Sequence, residues 1–126
     1  MPVKFRARMA GGAVVTKGLD NCLSVYTTEE WEKLAEKLAA LPLTQSASRA
    51  FARLMLAGAT SVNIDKQGRI VIPGYLREYG ELSGTVVVAG LYSRVEIWNQ
   101  DNWKTYKGKT EGDASVIAEE LENLGI

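Results

Sequence analysis

The second half of this 126-residue chain repeats much of the first half at an offset of 72 residues, as residue 13 matches residue 85. AVVTKGL at residues 13–19 parallels TVVVAGL at residues 85–91, and LSVY at residues 23–26 parallels VEIW at residues 95–98. Trp31 parallels Trp103 in the same register. A duplication of this kind predicts two similar supersecondary units that pack about a pseudo-twofold axis.

The first copy of the repeat begins later in the unit than the second copy does. Residues 61–72 precede Pro73, whereas only Met1 precedes the corresponding Pro2. We therefore expect the first unit to lack an opening β-hairpin that the second unit has. A late assigned start, a fragment and a shortened homologue are the three explanations.

The composition favours one compact domain, or two small halves that share a core, and it excludes several classes of function. Apolar residues make up 46% of the chain and charged residues 24%, which is typical of a soluble globular protein. No segment approaches the ~20 apolar residues of a membrane span, and the N-terminal residues lack the apolar stretch of a signal peptide. We therefore predict a cytoplasmic protein without a membrane partner.

The chain lacks the residues that most enzymes and metal sites need. It contains no histidine and one cysteine, Cys22, so that neither a zinc ligand set nor an internal disulfide is expected. It also has no glycine-rich phosphate loop. We predict that the protein is not an enzyme and uses no cofactor, no metal and no small-molecule substrate.

The formal net charge is zero, but the charges are unevenly distributed. Four basic residues precede the first acidic residue, Asp20, whereas the last sixth of the chain is acidic. This pattern is either a solvated surface with an acidic tail helix or a bipolar subunit whose basic face is available for phosphates. The basic residues are Lys4, Arg6, Arg8 and Lys17, and the acidic ones are Glu111, Asp113, Glu119, Glu120 and Glu122.

Hydrophobic periodicity predicts the elements of the first unit. Strands are expected at residues 14–16 and 23–26, and a helix with Thr27 as its N-cap follows. A second helix is expected at residues 45–57, with Gly58 as its C-terminal cap. The first helix is expected to bury Trp31, Leu34, Ala35 and Leu38.

The second unit is predicted to contain two more strands than the first. Strands are expected at residues 61–65, 69–72, 85–89 and 94–98, and a short helix from Pro73 to Tyr79 lies between the pairs. Asn99 or Asp101 is expected to cap a helix that carries Trp103 and Tyr106. A break at residues 108–112 precedes a last helix, capped by Asp113, whose inward residues are Val116, Ile117, Leu121 and Leu124.

The segment DKQGR at residues 65–69 is predicted to form the tip of a hairpin. Asp65 can accept hydrogen bonds from amides further along the turn, and Gly68 can adopt a positive φ without steric cost. Arg69 lies four residues beyond Asp65, close enough for their charges to pair. From these residues alone, the segment is either a well-formed turn or a binding loop.

Further segments identify a resemblance over practically the whole chain. GLDNCL at residues 18–23, EWEKL at 30–34, ARLMLAGA at 52–59 and LREY at 76–79 join the DKQGR hairpin and the duplication. Together they resemble the MraZ family, a branch of the AbrB-like swapped-hairpin transcription factors. The resemblance implies an α+β fold in which two pseudo-symmetric AbrB-like β-β-α-β-β units form a small β-barrel flanked by helix pairs.

The resemblance also implies a division of the chain and a consequence of the late beginning. The first half, without its opening hairpin, is expected at residues 1–59 and the second half at residues 60–126, each with its helices. In the family the first hairpin is a principal DNA-contacting element. Its loss is expected to expose strand edges and apolar side chains such as Phe5 and Val14.

The function implied by the resemblance is sequence-specific, DNA-binding regulation of transcription of the bacterial division and cell-wall gene cluster. The implied partners are double-stranded promoter DNA with repeated elements and further copies of the chain in a homo-oligomeric ring, associated with the nucleoid. Carried over, the family pattern assigns Lys66 and Arg69 to DNA contact and Asp65, with Gly68, to organising the loop. Gln67, where many members have lysine, could hydrogen-bond a base edge or a phosphate.

Two other arginines occupy matching positions after the prolines of the repeat. For Arg6 and for Arg77 we expect a buried aliphatic stem with a salt bridge, and a DNA contact is the alternative. A second reading of the whole chain also stays open. The chain is then a truncated assembly subunit that oligomerises but does not bind DNA on its own.

Overall fold

The computed structural model describes Met1 and residues 3–125, with Lys4 described by its backbone alone. Five antiparallel strands form one sheet with the order β3-β1-β2-β5-β4, and helices lie around it. This architecture confirms the predicted α+β class. The strands are β1 (Ala13–Lys17), β2 (Leu23–Thr27), β3 (Thr60–Val62), β4 (Val86–Leu91) and β5 (Arg94–Asn99).

The helices occur in the same order in the two halves of the chain. A short helix precedes each main strand pair, and two helices follow each pair. Short 3-10 helices lie at Leu19–Asn21 and Glu122–Leu124. The α-helices are α1 (Val3–Arg6), α2 (Thr28–Ala39), α3 (Ser46–Gly58), α4 (Gly74–Tyr79), α5 (Gln100–Gly112) and α6 (Ala114–Glu120).

The centre of the sheet has the symmetry that the repeat predicts. In the pairing of β2 with β5, Ser24 faces Glu96, Leu23 faces Ile97 and Val25 faces Val95. Residues of β2 correspond to residues of β5 at an offset of 72, so that Ser24 corresponds to its own partner, Glu96. The same correspondence converts the pair 23–97 into the pair 25–95. The pseudo-twofold axis therefore passes through the Ser24–Glu96 pair.

The outer strands follow a different offset, which corrects the sequence alignment. Ala13 pairs with Thr27, and Val86 pairs with Asn99, so that β4 matches β1 at an offset of 73 residues, from 13 to 86. The two offsets differ because the connections between the strands differ in length. Residues 18–22 join β1 to β2, whereas the tight turn at residues 92–93 joins β4 to β5. Since a shift of one residue reverses the face of every side chain, Val14 corresponds to Val87 rather than to Val86.

The inner face of the sheet carries the main core, which contains alternate residues of each central strand such as Val15, Val25 and Val95. Leu76 of α4 is fully buried against them. Phe5 also joins this core, because the segment that begins with α1 places its ring against Gly90, at a point where a Cβ atom would overlap it.

The expectation that Phe5 and Val14 would be exposed is therefore wrong. Phe5 is buried in the core of the inner face. Val14 is buried as well and points to the opposite face, where it lies beside Trp31 of α2.

The outer face of β1 and β2 is covered by α2 and α3. Tyr26, Leu38 and Met55 form a second buried cluster there, and the Thr16 hydroxyl donates a hydrogen bond of 2.6 Å to the Met55 carbonyl. Helix α2 begins as predicted, since the Thr27 side chain accepts from the Glu30 amide at 3.1 Å.

Two predicted helix boundaries shift slightly. Gly58 is the last residue of α3 rather than its cap, which is Ala59. Pro73 is the N-cap of α4 rather than its first residue.

The predicted hairpin strands at residues 61–65 and 69–72 are largely wrong. Only Thr60–Val62 forms a strand, and it pairs with β1. Residues 69–72 belong to no strand, and residues 60–62 pair with β1 rather than with them. Within the described chain β3 and β4 remain the two edges of the sheet, and the barrel is not closed.

The end of the chain also departs from the prediction. Asn99 is the N-cap of α5 and accepts from the Asn102 amide at 2.9 Å, but α5 continues through the expected break to Gly112. Asp113 is the N-cap residue of α6, as predicted, although its side chain makes no capping hydrogen bond. Helix α6 lies away from the sheet. Val116, Ile117 and Leu124 are exposed instead of facing inward, and only Leu121 is half-buried.

Candidate nucleic-acid interface

The loop at residues 65–69 forms the tight turn that the sequence predicts. One carboxylate oxygen of Asp65 accepts hydrogen bonds of 2.9 Å from the backbone amides of Gln67 and Arg69. The Gly68 amide donates to the Asp65 carbonyl at 2.9 Å, and the Asp65 amide donates to the Arg69 carbonyl at 3.0 Å. Gly68 has φ +78°, a value that glycine adopts without the strain of a side chain.

The same carboxylate also orients the Arg69 side chain. Its second oxygen accepts from Arg69 Nε at 2.9 Å. The Arg69 amide is the main cause that holds the pKa of Asp65 below its ordinary value of 3.8, and the Arg69 guanidinium and the Gln67 amide act in the same direction. Asp65 is therefore ionised throughout the physiological range, and it fixes both the turn and the arginine.

The arginine that Asp65 orients is available to a partner. The Arg69 side chain is 74% exposed. Its bond to Asp65 uses Nε, and no other described residue engages the two Nη atoms through a hydrogen bond. A guanidinium held at Nε with free Nη donors can bind a planar pair of acceptors. Lys66 and Gln67 are exposed on the same loop.

Arg6 lies directly against this loop, although its sequence position is remote. Its Nε donates to the Met1 carbonyl at 2.9 Å, and the guanidinium occupies the space beside Gly68 that a Cβ atom would fill. Arg6 is half-buried and forms no ion pair with another described residue. The predicted salt bridge is therefore absent from the part of the chain that the structure describes, and Arg6 adds a third positive charge to the loop.

Arg77 does not join this group. It is exposed and lines a separate cleft in which the carboxylates of Glu78, Glu81 and Asp101 also lie. No ion pair of Arg77 with another described residue is present. Arg6 and Arg77, which match in sequence, therefore have different surroundings. The position of Pro2, on which that match rests, lies outside the described residues.

Sequence reasoning found the loop but missed one of its neighbours. The bonds from Asp65 span at most four residues, so a local pattern reveals them. Arg6 and Gly68 lie 62 residues apart, from 6 to 68, and their approach has no local signature. Arg8 also makes a long-range contact that the sequence does not reveal. Its guanidinium donates a hydrogen bond of 3.1 Å to the carbonyl of Tyr92 in the β4–β5 turn.

Other chemical features are sparse. Among the described residues no group of three or more potential ligands could hold a metal ion. None of the helices of the described chain has the length and apolar content needed to cross a bilayer. Cys22 is fully buried, and burial, followed by the negative charges of Glu96 and Asp20, raises its pKa to about 12. Such a thiol is unsuited to nucleophilic chemistry.

Comparison with known proteins identifies a family for both halves of the chain. The model of a family described as "MraZ protein, putative antitoxin-like" matches residues 1–54 and again residues 55–123. The two matches agree with the internal repeat and with the pseudo-twofold axis at the centre of the sheet.

Full-length comparison gives the same family. The chain is 47% identical over 126 residues to a protein of Caldanaerobacter subterraneus subsp. tengcongensis named transcriptional regulator MraZ, and the match covers 100% of this chain and 88% of that relative. Proteins of the same name from Thermoanaerobacter pseudethanolicus and from Desulfitobacterium hafniense (strain DCB-2) are each 48% identical with the same coverage.

Proposed function

This chain belongs to the MraZ family, and we propose that it is a DNA-binding regulator of transcription whose loop at residues 65–69 contacts duplex DNA. The names of its relatives support regulation of transcription. Regulators of this kind carry out no reaction, in agreement with the prediction that the chain is not an enzyme. The fixed and exposed guanidinium of Arg69 is the observation that carries the assignment of the loop.

The chemistry of the loop fits recognition of base edges as well as phosphates. A guanidinium that is held at Nε can donate in a bidentate fashion to O6 and N7 of guanine in the major groove. Lys66 and Arg6 supply point charges for phosphates, and Gln67 can reach a base edge or a phosphate. Phosphate contacts position a protein on the duplex, and base contacts give it sequence preference.

In its finer form the proposal follows the family. The regulated genes are the bacterial division and cell-wall cluster, the target is a set of repeated promoter elements, and the binding species is a ring of copies at the nucleoid in the cytoplasm. One loop with three positive charges binds weakly. Several loops on one face of a ring make each later contact intramolecular, which raises avidity over single-site affinity by ~10²–10⁴.

The second candidate is an assembly subunit that oligomerises without binding DNA. The observation that favours it is the missing strand pairing of residues 69–72, since a loop on unpaired arms is held less rigidly than one on a regular hairpin. The zero net charge of the whole chain points the same way, because a basic patch is the usual electrostatic footprint of DNA binding.

A mobility-shift experiment separates the two candidates. The probe is the duplex upstream of the division and cell-wall cluster, with its repeats either intact or shuffled at constant base composition. We expect retardation of the intact probe at a protein concentration that leaves the shuffled probe free, and loss of that retardation in Arg69→Glu. If the wild-type protein retards neither probe, the assembly subunit is favoured. If Arg69→Glu retards the intact probe like the wild type, the assignment of the loop is wrong.

A further inference from the structure

The two halves of the chain differ in how the outer face of the sheet is covered. The outer face is the one opposite the main core, and on β1 it carries Val14 and Thr16. In the first half both α2 and α3 pack on it. In the second half α5 alone packs there, through Trp103 and Tyr106, whose rings lie 5.4 and 5.0 Å from that of Trp98.

Residues in equivalent places show the difference directly. Thr16 of β1 is fully buried beneath α3, with 0% exposure. The residue of β4 that is equivalent to Thr16 is Ala89, and it is only half-buried. The next residue of β4 on the outer face, Leu91, is 39% exposed. In β1 this surface is covered by α3. The equivalent surface of β4 is therefore uncovered in the single chain.

The second helix of the second half, α6, has an apolar face that no other part of the single chain covers. Every residue of α6 is exposed, although its sequence is amphipathic. Ile117 of α6 is continued at helical spacing by Leu121 and Leu124, which lie in the C-cap and the 3-10 helix that follow α6. Val116 lies beside this stripe, and Glu119 and Glu122 lie on the opposite side. Val116 is 57% exposed and Leu124 is 70% exposed. An amphipathic helix of this kind requires an apolar surface to cover its stripe.

The connection between the helices prevents α6 from covering the uncovered place in its own chain. Residues 40–45 join α2 to α3 and allow α3 to turn back along α2 and reach β1. Only Asp113 joins α5 to α6. Antiparallel helices need a connection of about 2–5 residues, so that α6 cannot turn back along α5 to reach β4.

We propose that α6 of one copy packs on the outer face of β4 of a second copy, in the place that α3 occupies on β1. The apolar stripe of α6 then covers Ala89 and Leu91 of the neighbour. The donating and the accepting surfaces are different, so that the contact is heterologous and repeats from copy to copy until a ring closes. This inference rests on the proposed function only in that it supplies the contact between copies of the proposed ring.

Light scattering after size-exclusion chromatography tests this contact without DNA. We expect the wild-type protein to be a closed oligomer and Ile117→Asp to have the mass of one chain. Ser115→Asp, which adds the same charge to the opposite side of α6, should keep the wild-type mass, and Arg69→Gln should keep it as well. A wild-type protein with the mass of one chain, or an unchanged mass in Ile117→Asp, would overturn the proposal.

Mixing two defective variants identifies the accepting surface. Ala89→Glu and, as a second choice on the same face, Leu91→Asp should each have the mass of one chain, with the circular dichroism of a folded protein. Ile117→Asp mixed with either variant should form a species of two chains, because one intact donor then meets one intact acceptor. If the mixture stays at the mass of one chain, α6 does not bind this face.

The experiments distinguish a failure of the proposed contact between copies from a failure of the DNA-binding proposal. If Ile117→Asp keeps the wild-type mass while Arg69→Glu loses binding to the repeats, the contact is wrong and the DNA-binding proposal stands. If the mass falls as expected but no variant or probe affects DNA retardation, the contact stands and the DNA-binding proposal is wrong.

Discussion

The guanidinium of Arg6 fills the space beside Gly68 in which the Cβ atom of any other residue would lie. This approach joins the end of α1 to the loop that carries Lys66 and Arg69, and it brings together three basic side chains from two distant parts of the chain. Gly68 therefore has two roles, because it also adopts the positive φ that closes the turn.

Substituting Gly68 by alanine should displace Arg6, and Gly84→Ala provides a matched control. Gly84 also has a positive φ, +69°, but nothing lies within 4 Å of its Cβ position. Each substitution should lower the free energy of unfolding by roughly 1–2 kcal/mol through backbone strain. Only Gly68→Ala should shift the NMR signal of Arg6 Nε–H, measured beside urea unfolding of both variants. A shift of that signal in Gly84→Ala as well would contradict the local contact.

The loop should lose its order at low pH through Asp65. Its pKa is depressed in the folded loop, so that the carboxylate stabilises the loop at every pH above the ordinary value of 3.8, and this stabilisation is lost as the pH falls through the depressed value. In a ¹⁵N NMR titration we expect the Arg69 Nε–H signal to keep its shift from pH 7 to pH 4 and to move only below that. Asp65→Asn should show the shifted signal already at pH 7. A titration centred near neutral pH would contradict this account.

Leu23 tests the energetic importance of the central strand pair. It is fully buried where β2 meets β5. Leu23→Ala should lower the free energy of unfolding by about 2–5 kcal/mol, since it removes apolar contacts and leaves a cavity. Leu43→Ala removes the same atoms from a side chain that is 75% exposed, and its effect should stay within about 0.5 kcal/mol. Urea unfolding measures both, and equal effects would contradict the assigned core.

Cys22 should be unreactive in the folded protein. Burial and neighbouring negative charges raise its pKa to about 12, so that little thiolate exists at pH 8. We expect no measurable reaction with an aromatic disulfide reagent in buffer and complete reaction in urea. Tyr92→Cys places a thiol at a position that is 94% exposed and should react at once in buffer. Reaction of the native Cys22 at the rate of that control would show that the connection between β1 and β2 opens readily.

Local signals explain which parts of the fold the sequence predicts well. The helix caps at Thr27 and Asn99 and the turn organised by Asp65 each depend on hydrogen bonds over two to four residues. The repeat predicts two units about a pseudo-twofold axis, and the symmetric pairing of β2 with β5 shows that relation at one offset.

Long-range pairing and loop length explain the failures. The shift of β4 by one residue follows from the tight turn at residues 92–93, which a comparison of strand sequences does not reveal. The strand at Thr60–Val62 joined β1 instead of its own hairpin, and the exposure of α6 depends on the single residue that separates it from α5. For the same reason the sequence predicts a salt bridge for Arg6, with a DNA contact as the alternative, and does not reveal its approach to the loop.

The division of the chain at residues 59 and 60 stays a prediction, as do the roles of individual loop residues. Measurements of binding by variants will decide those roles. The central question is whether the guanidinium of Arg69 reads the duplex or only stabilises the turn.

Fluorescence anisotropy with a labelled repeat-bearing duplex at several salt concentrations answers that question most directly. Arg69→Gln should lose about 1–3 kcal/mol of discrimination between intact and shuffled repeats, whereas Arg53→Gln, the same change at an exposed site on α3, should bind like the wild type. Arg69→Lys should keep the salt dependence but lose the discrimination, because lysine retains the charge without the fork of donors. Equal binding by the Arg69→Gln and Arg53→Gln variants would contradict the account.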